Sequence, residues 1–187
     1  MNSITLLNSE QVNLALKRLA RQLVENHDDF SETVVLGLQP RGISLANRLV
    51  SEIESIIGKQ IQFGKIDITF HRDDFRRGDE PLKANPTEIN FLLENKKVVL
   101  IDDVLYTGRS IRATLDAMLS YGRPTKVELC VLIDRRFSRH LPVQPDYVGR
   151  QVDSLKSEKV TVKWMETDGI DEVILFTSKP AHEIVIG

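Results

Sequence analysis

The chain has 187 residues and a formal net charge of −2, with 41% hydrophobic and 28% charged residues. That balance fits one soluble globular domain and excludes a disordered chain, which lacks the apolar surface to offset its ordering entropy. It also argues against a surface that grips nucleic acid all over, and no run approaches the ~20 apolar residues of a membrane helix.

The first residues, Met1 to Glu10, carry no cationic segment followed by an apolar core. With a single cysteine, Cys130, set in the apolar run Val127–Ile133, the expectation is a cytoplasmic protein without disulfides. Asn8 or Ser9 is placed to cap a helix running to about Asn26, with Val12, Leu16, Leu19 and Leu23 at helical spacing and Lys17, Arg18 and Arg21 on the other side. Thr33 to Leu38 reads as a short buried strand. The turn Gln39-Pro40-Arg41-Gly42 leads into a helix from Ile43 to Ile57, ended by Gly58. Ile61 to Phe70 alternates like a strand, and residues 71–90 form a long charged loop holding Arg72, Arg76 and Arg77. A loop of that length and charge suits a lid. Lys97 to Ile101 is predicted as a buried strand, followed by a polar turn and a helix from about Ser110 to Tyr121 before Gly122. Lys126–Asp134, Asp146–Val152, Val160–Trp164 and Glu172–Thr177 read as further strands.

Buried strands alternating with amphipathic helices predict an α/β fold with a central, mostly parallel sheet flanked by helices. Ligands of such sheets collect at the carboxyl ends of the strands, which directs attention to the turns after Leu38, Ile101 and Ile133. The first of these, Gly37-Leu38-Gln39-Pro40-Arg41-Gly42-Ile43-Ser44, nearly spells a nucleotide P-loop, but Ile43 stands where that loop needs lysine. What remains is a strand–turn–helix with Arg41 at its mouth.

The second turn carries the most chemistry. Val98-Val99-Leu100-Ile101 is followed by the adjacent carboxylates Asp102 and Asp103, then Val104-Leu105-Tyr106 and Thr107-Gly108-Arg109-Ser110 opening a helix. Unpaired amides at a helix start, with the positive end of the helix dipole, hydroxyls at Thr107 and Ser110 and charge on Arg109, make a cup for one phosphate. The carboxylates just before it are acceptors for sugar hydroxyls or a hydrated divalent cation.

This segment resembles the phosphoribosyl diphosphate (PRPP) signature of type I phosphoribosyltransferases. With Gly64–Thr69 followed by Arg72-Asp73-Asp74, and with Gly122-Arg123-Pro124, Val131–Arg135, Asp146–Gly149 and Lys156–Val160, nearly the whole chain resembles the PyrR family. The resemblance implies a single phosphoribosyltransferase domain over residues 1–187, with a small hood and a flexible lid loop near 71–90. It implies uracil phosphoribosyltransferase activity (uracil and PRPP giving UMP and diphosphate) and UMP-responsive binding of pyr leader mRNA in transcription attenuation.

Carried onto this chain, residues 98–110 hold PRPP, with Asp102 and Asp103 on the ribose hydroxyls and, through water or substrate, on Mg²⁺. Arg41 joins them as a catalytic residue, and Pro40 and Arg41 take the diphosphate. Arg72, Arg76 and Arg77 belong to the lid, and Asp134 and Arg135 lie near the base. Lys17, Arg18, Arg21, Arg150, Lys156 and Lys159 are the candidates for RNA, although a solvated surface accounts for such residues too. A homo-oligomer, dimer or higher, is also implied, with no membrane partner. The chain departs from the family pattern at Pro40 (commonly Thr), Arg136 (commonly Gly) and Gln144 (commonly Arg). The competing reading is a phosphoribosyltransferase for another base, hypoxanthine for example, without RNA binding.

Overall fold

In the computed structural model, which describes residues 2–68 and 86–177, five parallel strands form the central sheet. They are β2 (Thr33–Gln39), β3 (Phe63–Asp67), β4 (Lys97–Leu105), β5 (Lys126–Arg136) and β6 (Tyr147–Asp153), in the order β3-β2-β4-β5-β6. Parallel strands need crossovers, so both faces are covered and the strands read as unbroken apolar runs. Val35, Val99, Cys130 and Leu132 face one core with helices α1 (Ser9–His27) and α2 (Gly42–Ile57). Val34, Leu36, Leu100 and Val131 face the other, with α3 (Arg109–Met118) and a single 3₁₀ turn at Leu119–Tyr121.

The helix limits follow the sequence signals. Asn8 caps α1 in a reciprocal box: its Oδ1 accepts from the Gln11 amide at 2.9 Å, and its own amide donates to Gln11 Oε1 at 3.0 Å. Gly58 ends α2 in the left-handed conformation. Cys130 is fully buried, and burial pushes its thiol up to about 12, the inert core residue expected.

Three differences from the sequence reading bear on function. First, β1 (Asn2–Leu7) pairs antiparallel with β8 (Glu172–Thr177), which pairs with β7 (Lys159–Lys163). With the short helix α4 (Met165–Asp168) these make the hood, and β1 went unpredicted because its partner lies at the far end of the chain. Second, β4 continues past Ile101 to Leu105, because Asp102 and Val104 keep pairing with Val131 and Ile133 of β5. Third, the loop predicted to reach residue 90 is already docked at residues 86–88. Glu88 and Lys65 exchange amide–carbonyl bonds of 2.8 and 2.9 Å, Thr87 Oγ1 accepts from the Asp67 amide, and the Pro86 carbonyl accepts from Gln39 Nε2. Arg72, Arg76 and Arg77 fall outside the described residues, as does Phe70.

A polar cluster is buried at the opposite end of the sheet from the carboxyl-end turns. Glu128 Oε2 accepts from His27 Nε2 at 2.8 Å and from the Tyr147 hydroxyl at 3.0 Å, while Lys126 pairs with Oε1. His27 Nδ1 meets Thr33 Oγ1 at 3.1 Å, and Asn26 donates to the Tyr147 oxygen at 3.2 Å. Burial holds the His27 imidazole below its ordinary 6.5, against the pull of Glu128. Burial also pushes the Tyr147 phenol up, and Glu128 adds to that. The Glu128 carboxyl, which burial alone lifts, ends below its usual 4.5 through the bonds from Lys126 and Tyr147.

The signs set a stability window. The unfolded chain binds the His27 proton first as pH falls below about 6.5, and the Glu128 proton as it falls through 4.5, so both stabilisations are lost toward acid. Above about pH 10 the unfolded tyrosine ionises while the folded one does not, so stability is lost there too. Urea midpoints measured from pH 5 to pH 8 are expected to rise to a plateau near neutrality. His27→Gln flattens the limb between pH 5 and 6.5; an unchanged limb in that variant would assign the pH dependence elsewhere.

Candidate active site

The carboxyl ends of β2, β4 and β5 and the hood strand β7 enclose a cavity of about 350 Å³. Pro40 and Arg41 enter from the turn after β2, Asp102, Asp103, Val104, Tyr106 and Ser110 from β4 and the start of α3, and Arg135 from β5. Lys159, Val160, Thr161 and Val162 form its roof. The predicted PRPP segment therefore divides by role. Val98, Val99, Leu100 and Ile101 are at most 1% exposed and build the strand that carries the shelf. Asp102, Asp103, Val104, Tyr106 and Ser110 line the cavity, whereas Leu105 is buried in the core and Thr107, Gly108 and Arg109 form the turn beside it.

Local chemistry explains the arrangement. Gly42, the first residue of α2, sits so close to β4 that an added Cβ would lie 2.6 Å from the Ile101 carbonyl oxygen and 2.9 Å from Asp102 Cα. That approach brings Arg41 to the double-aspartate shelf, where its Nε donates to Asp103 Oδ2 at 3.3 Å and its Nη2 to the Val162 carbonyl of the hood at 3.1 Å. The Gln39–Pro40 peptide beside it is cis. Asp102 Oδ1 accepts from the Asp103 amide at 2.9 Å. Burial, with the charge of Asp103 alongside, pushes the Asp102 carboxyl well above the ordinary carboxylate range. Gly108 precedes α3 at φ +87°, a conformation open to glycine at little cost; it has no side chain to cap the helix, and the Arg109 amide makes only a long bond of 3.4 Å to Thr107 Oγ1. The positive end of the α3 dipole lies at this turn, beside the cavity-lining Ser110.

At the third turn the two base-proximal candidates separate. Arg135 lies over the Tyr106 ring, 4.0 Å from its centroid, and is tied to Ser154 Oγ and to the carbonyls of Leu155 and Glu158. Asp134 does not line the cavity. Its carboxylate pairs with Arg139 and borders a second cavity of about 330 Å³, outside the first, with Arg136, Phe137 and Gln144. Strand alternation is the reason, since successive side chains on β5 point to opposite faces.

The RNA candidates also fall in different places. Lys17 and Arg21 are exposed on α1 and Lys156 on the loop before β7. Arg18 donates to the carbonyls of Val148 and Gly149, and Arg150 to that of Leu6. Lys159 is in the cavity roof. Sequence reasoning missed the rest of that roof and Arg139, because neither is announced by a local motif.

Residues 4–167 match the phosphoribosyl transferase domain family. The bifunctional protein PyrR of Desulfosudis oleivorans is 46% identical over 172 residues, covering 91% of this chain and 94% of that protein. The chain belongs to the PyrR family. The bifunctional protein PyrR of Halalkalibacterium halodurans is 43% identical, covering 91% of this chain and 95% of that protein, and that of Bacillus subtilis 40%, covering 93% and 97%. The type I fold, with its central parallel sheet, is shared with solved hypoxanthine phosphoribosyltransferases. That of Staphylococcus aureus has a TM-score of 0.67 at 20% identity, covering 93% of this chain and 96% of that one. That of Trypanosoma cruzi has a TM-score of 0.69 at 13% identity, covering 91% and 94%. Among the described residues no helix is long and apolar enough to cross a membrane.

Proposed function

We propose that the chain transfers the phosphoribosyl group of PRPP to uracil and, as a PyrR-family protein, regulates pyrimidine genes by binding pyr leader mRNA when UMP fills the same site. The observation that carries the first activity is the Asp102–Asp103 shelf beside the start of α3, in one cavity with Arg41. Ribose hydroxyls meet the two carboxylates, the 5-phosphate meets the Thr107–Ser110 amides, and the diphosphate lies toward Pro40 and Arg41. The base stands beside Arg135 and Tyr106 under the hood.

In the reaction, uracil N1 forms a bond to ribose C1 as the C1–O bond to diphosphate breaks. The bonding pair leaves with diphosphate, and the N1 proton passes to it or to water. No side-chain nucleophile is required. Asp102 and Asp103 hold the sugar while positive charge builds on it, Arg41 balances the departing anion, and the hood excludes water.

Adjacent carboxylates are hard oxygen donors that fit Mg²⁺. Among the described residues no group of three or more His, Cys, Asp or Glu is disposed to hold a metal unaided, so Asp102 and Asp103 would share it with substrate oxygens or water. When bound, the ion neutralises diphosphate charge and so makes it a better leaving group.

A base panel with PRPP and Mg²⁺, read as diphosphate release, tests the transfer. Uracil is expected to exceed hypoxanthine by at least tenfold, and the reverse order would make the chain a purine salvage enzyme. Filter binding of pyr leader RNA tests the regulation, with tighter binding in UMP expected and a salt-dependent affinity carried by Lys17 and Arg21.

A further inference from the structure

We infer that Arg139 is a positioning residue for the phosphate-binding turn: it fixes the peptide planes that aim the turn's amides at the substrate. The inference rests on reading the α3 start as the phosphate site and adds a residue that touches no substrate. Arg139 lies on the loop after β5, and its guanidinium is spent on the backbone. Nε donates to the Val143 carbonyl at 3.1 Å, and Nη1 faces the carbonyls of Leu105 at 3.3 Å, Tyr106 at 2.5 Å and Arg135 at 3.1 Å. Nη2 pairs with Asp134. One side chain thus joins the end of β5, its own loop and the last residues before Thr107.

Peptide geometry turns those contacts into aim. A trans peptide is planar, with its C=O and the next N–H pointing in opposite directions. Holding the Tyr106 carbonyl toward Arg139 directs the Thr107 N–H away from the loop. The next plane is held in the same way, since the His140 amide donates to the Thr107 carbonyl at 3.0 Å and so directs the Gly108 N–H away as well. The loop also backs the turn by contact, because a Cβ built on Gly108 would stand 3.5 Å from Leu141 and Val143. Two successive amides at the mouth of α3 are therefore set before any ligand arrives, which is what a preorganised anion site requires.

The residue type is specified. Five donors on a rigid plane can serve several carbonyls and a carboxylate together; a lysine ammonium has three donors on one nitrogen and cannot span them. Asp134 supplies the charge that holds the guanidinium in place, which gives it an effect on the site from outside the cavity.

The test uses the full-length protein and compares Arg139→Lys, Arg139→Gln and Asp134→Asn. The readouts are KM for PRPP, KM for uracil, kcat, and direct calorimetric binding of ribose 5-phosphate. Arg139→Lys is expected to weaken ribose 5-phosphate binding and raise KM for PRPP by about tenfold or more, leaving KM for uracil within about twofold. Asp134→Asn is expected to shift the same two quantities in the same direction by a smaller factor. A folded Arg139→Lys, or a folded Asp134→Asn should the arginine variants not fold, that binds ribose 5-phosphate as the wild type does overturns the inference. Loss of thermal stability with PRPP affinity unchanged also overturns it, since that is a purely structural role. Failure of the underlying site reading looks different: the wild type itself would not bind ribose 5-phosphate.

Discussion

Asp103→Asn is expected to lower kcat for UMP formation by about 10² to 10³-fold while the protein folds normally, the scale on which a single preorganised electrostatic contact acts. The Asp103 carboxylate is 7% exposed and accepts from Arg41 at 3.3 Å. Asparagine keeps the shape and one acceptor oxygen, so packing does not change. What is lost, in the proposed reaction, is negative charge beneath a sugar that becomes cationic in the transition state. In its place an NH₂ group faces either the Arg41 guanidinium or a ribose hydroxyl. Asp102→Asn is expected to cost less, because the amide oxygen still accepts from the Asp103 N–H. Steady-state diphosphate release, with circular dichroism and thermal unfolding as controls of folding, checks both. Near wild-type turnover by Asp103→Asn would remove that residue from the mechanism.

What could be read from the sequence is what is local. The strand, the carboxylate pair and the helix start of residues 98–110 are contiguous, so the apolar run, the Asp-Asp step and Thr-Gly-Arg-Ser together spell out a shelf and a cup. The caps at Asn8 and Gly58 were legible for the same reason. Contacts closed by the whole fold were not. The pairing of Asn2 with Thr177 joins the chain's two ends, and no window around Ile4 contains the partner that makes it a strand. The cavity roof is hidden in the same way. Lys159 reads as one more surface lysine until β7 is laid antiparallel on β8 and over the turn at Arg41. Asp134 and Arg135 look equivalent as neighbours in a motif. The two-residue period of β5 sends the arginine to the cavity and the aspartate to Arg139.

Gly42→Ala is expected to be the most damaging single-methyl change at the site, lowering activity per folded molecule by about 10²-fold or more and stability by about 1–3 kcal/mol. The new methyl would meet the Ile101 carbonyl oxygen at 2.6 Å and Asp102 Cα at 2.9 Å, and both are backbone. A flexible side chain could swing aside, but β4 is hydrogen-bonded between β2 and β5, with Ile101 registered against Gly37 and Cys130. The first turn of α2 must therefore retreat, and it carries Arg41 with it. Arg41 holds Asp103 on one side and the Val162 carbonyl on the other, so the displacement loosens the shelf and the hood contact together. A shift near 1 Å at such a contact is enough for the expected loss of rate. The effect should fall on KM for PRPP and on kcat, because in the proposed reaction diphosphate binding and charge balance share the same guanidinium. Kinetics normalised to the folded fraction, taken from a urea titration of each protein, separate the two costs. A Gly42→Ala protein that is merely less stable, with unchanged kcat and KM for PRPP, would mean that the turn after β2 does not set the geometry of the site.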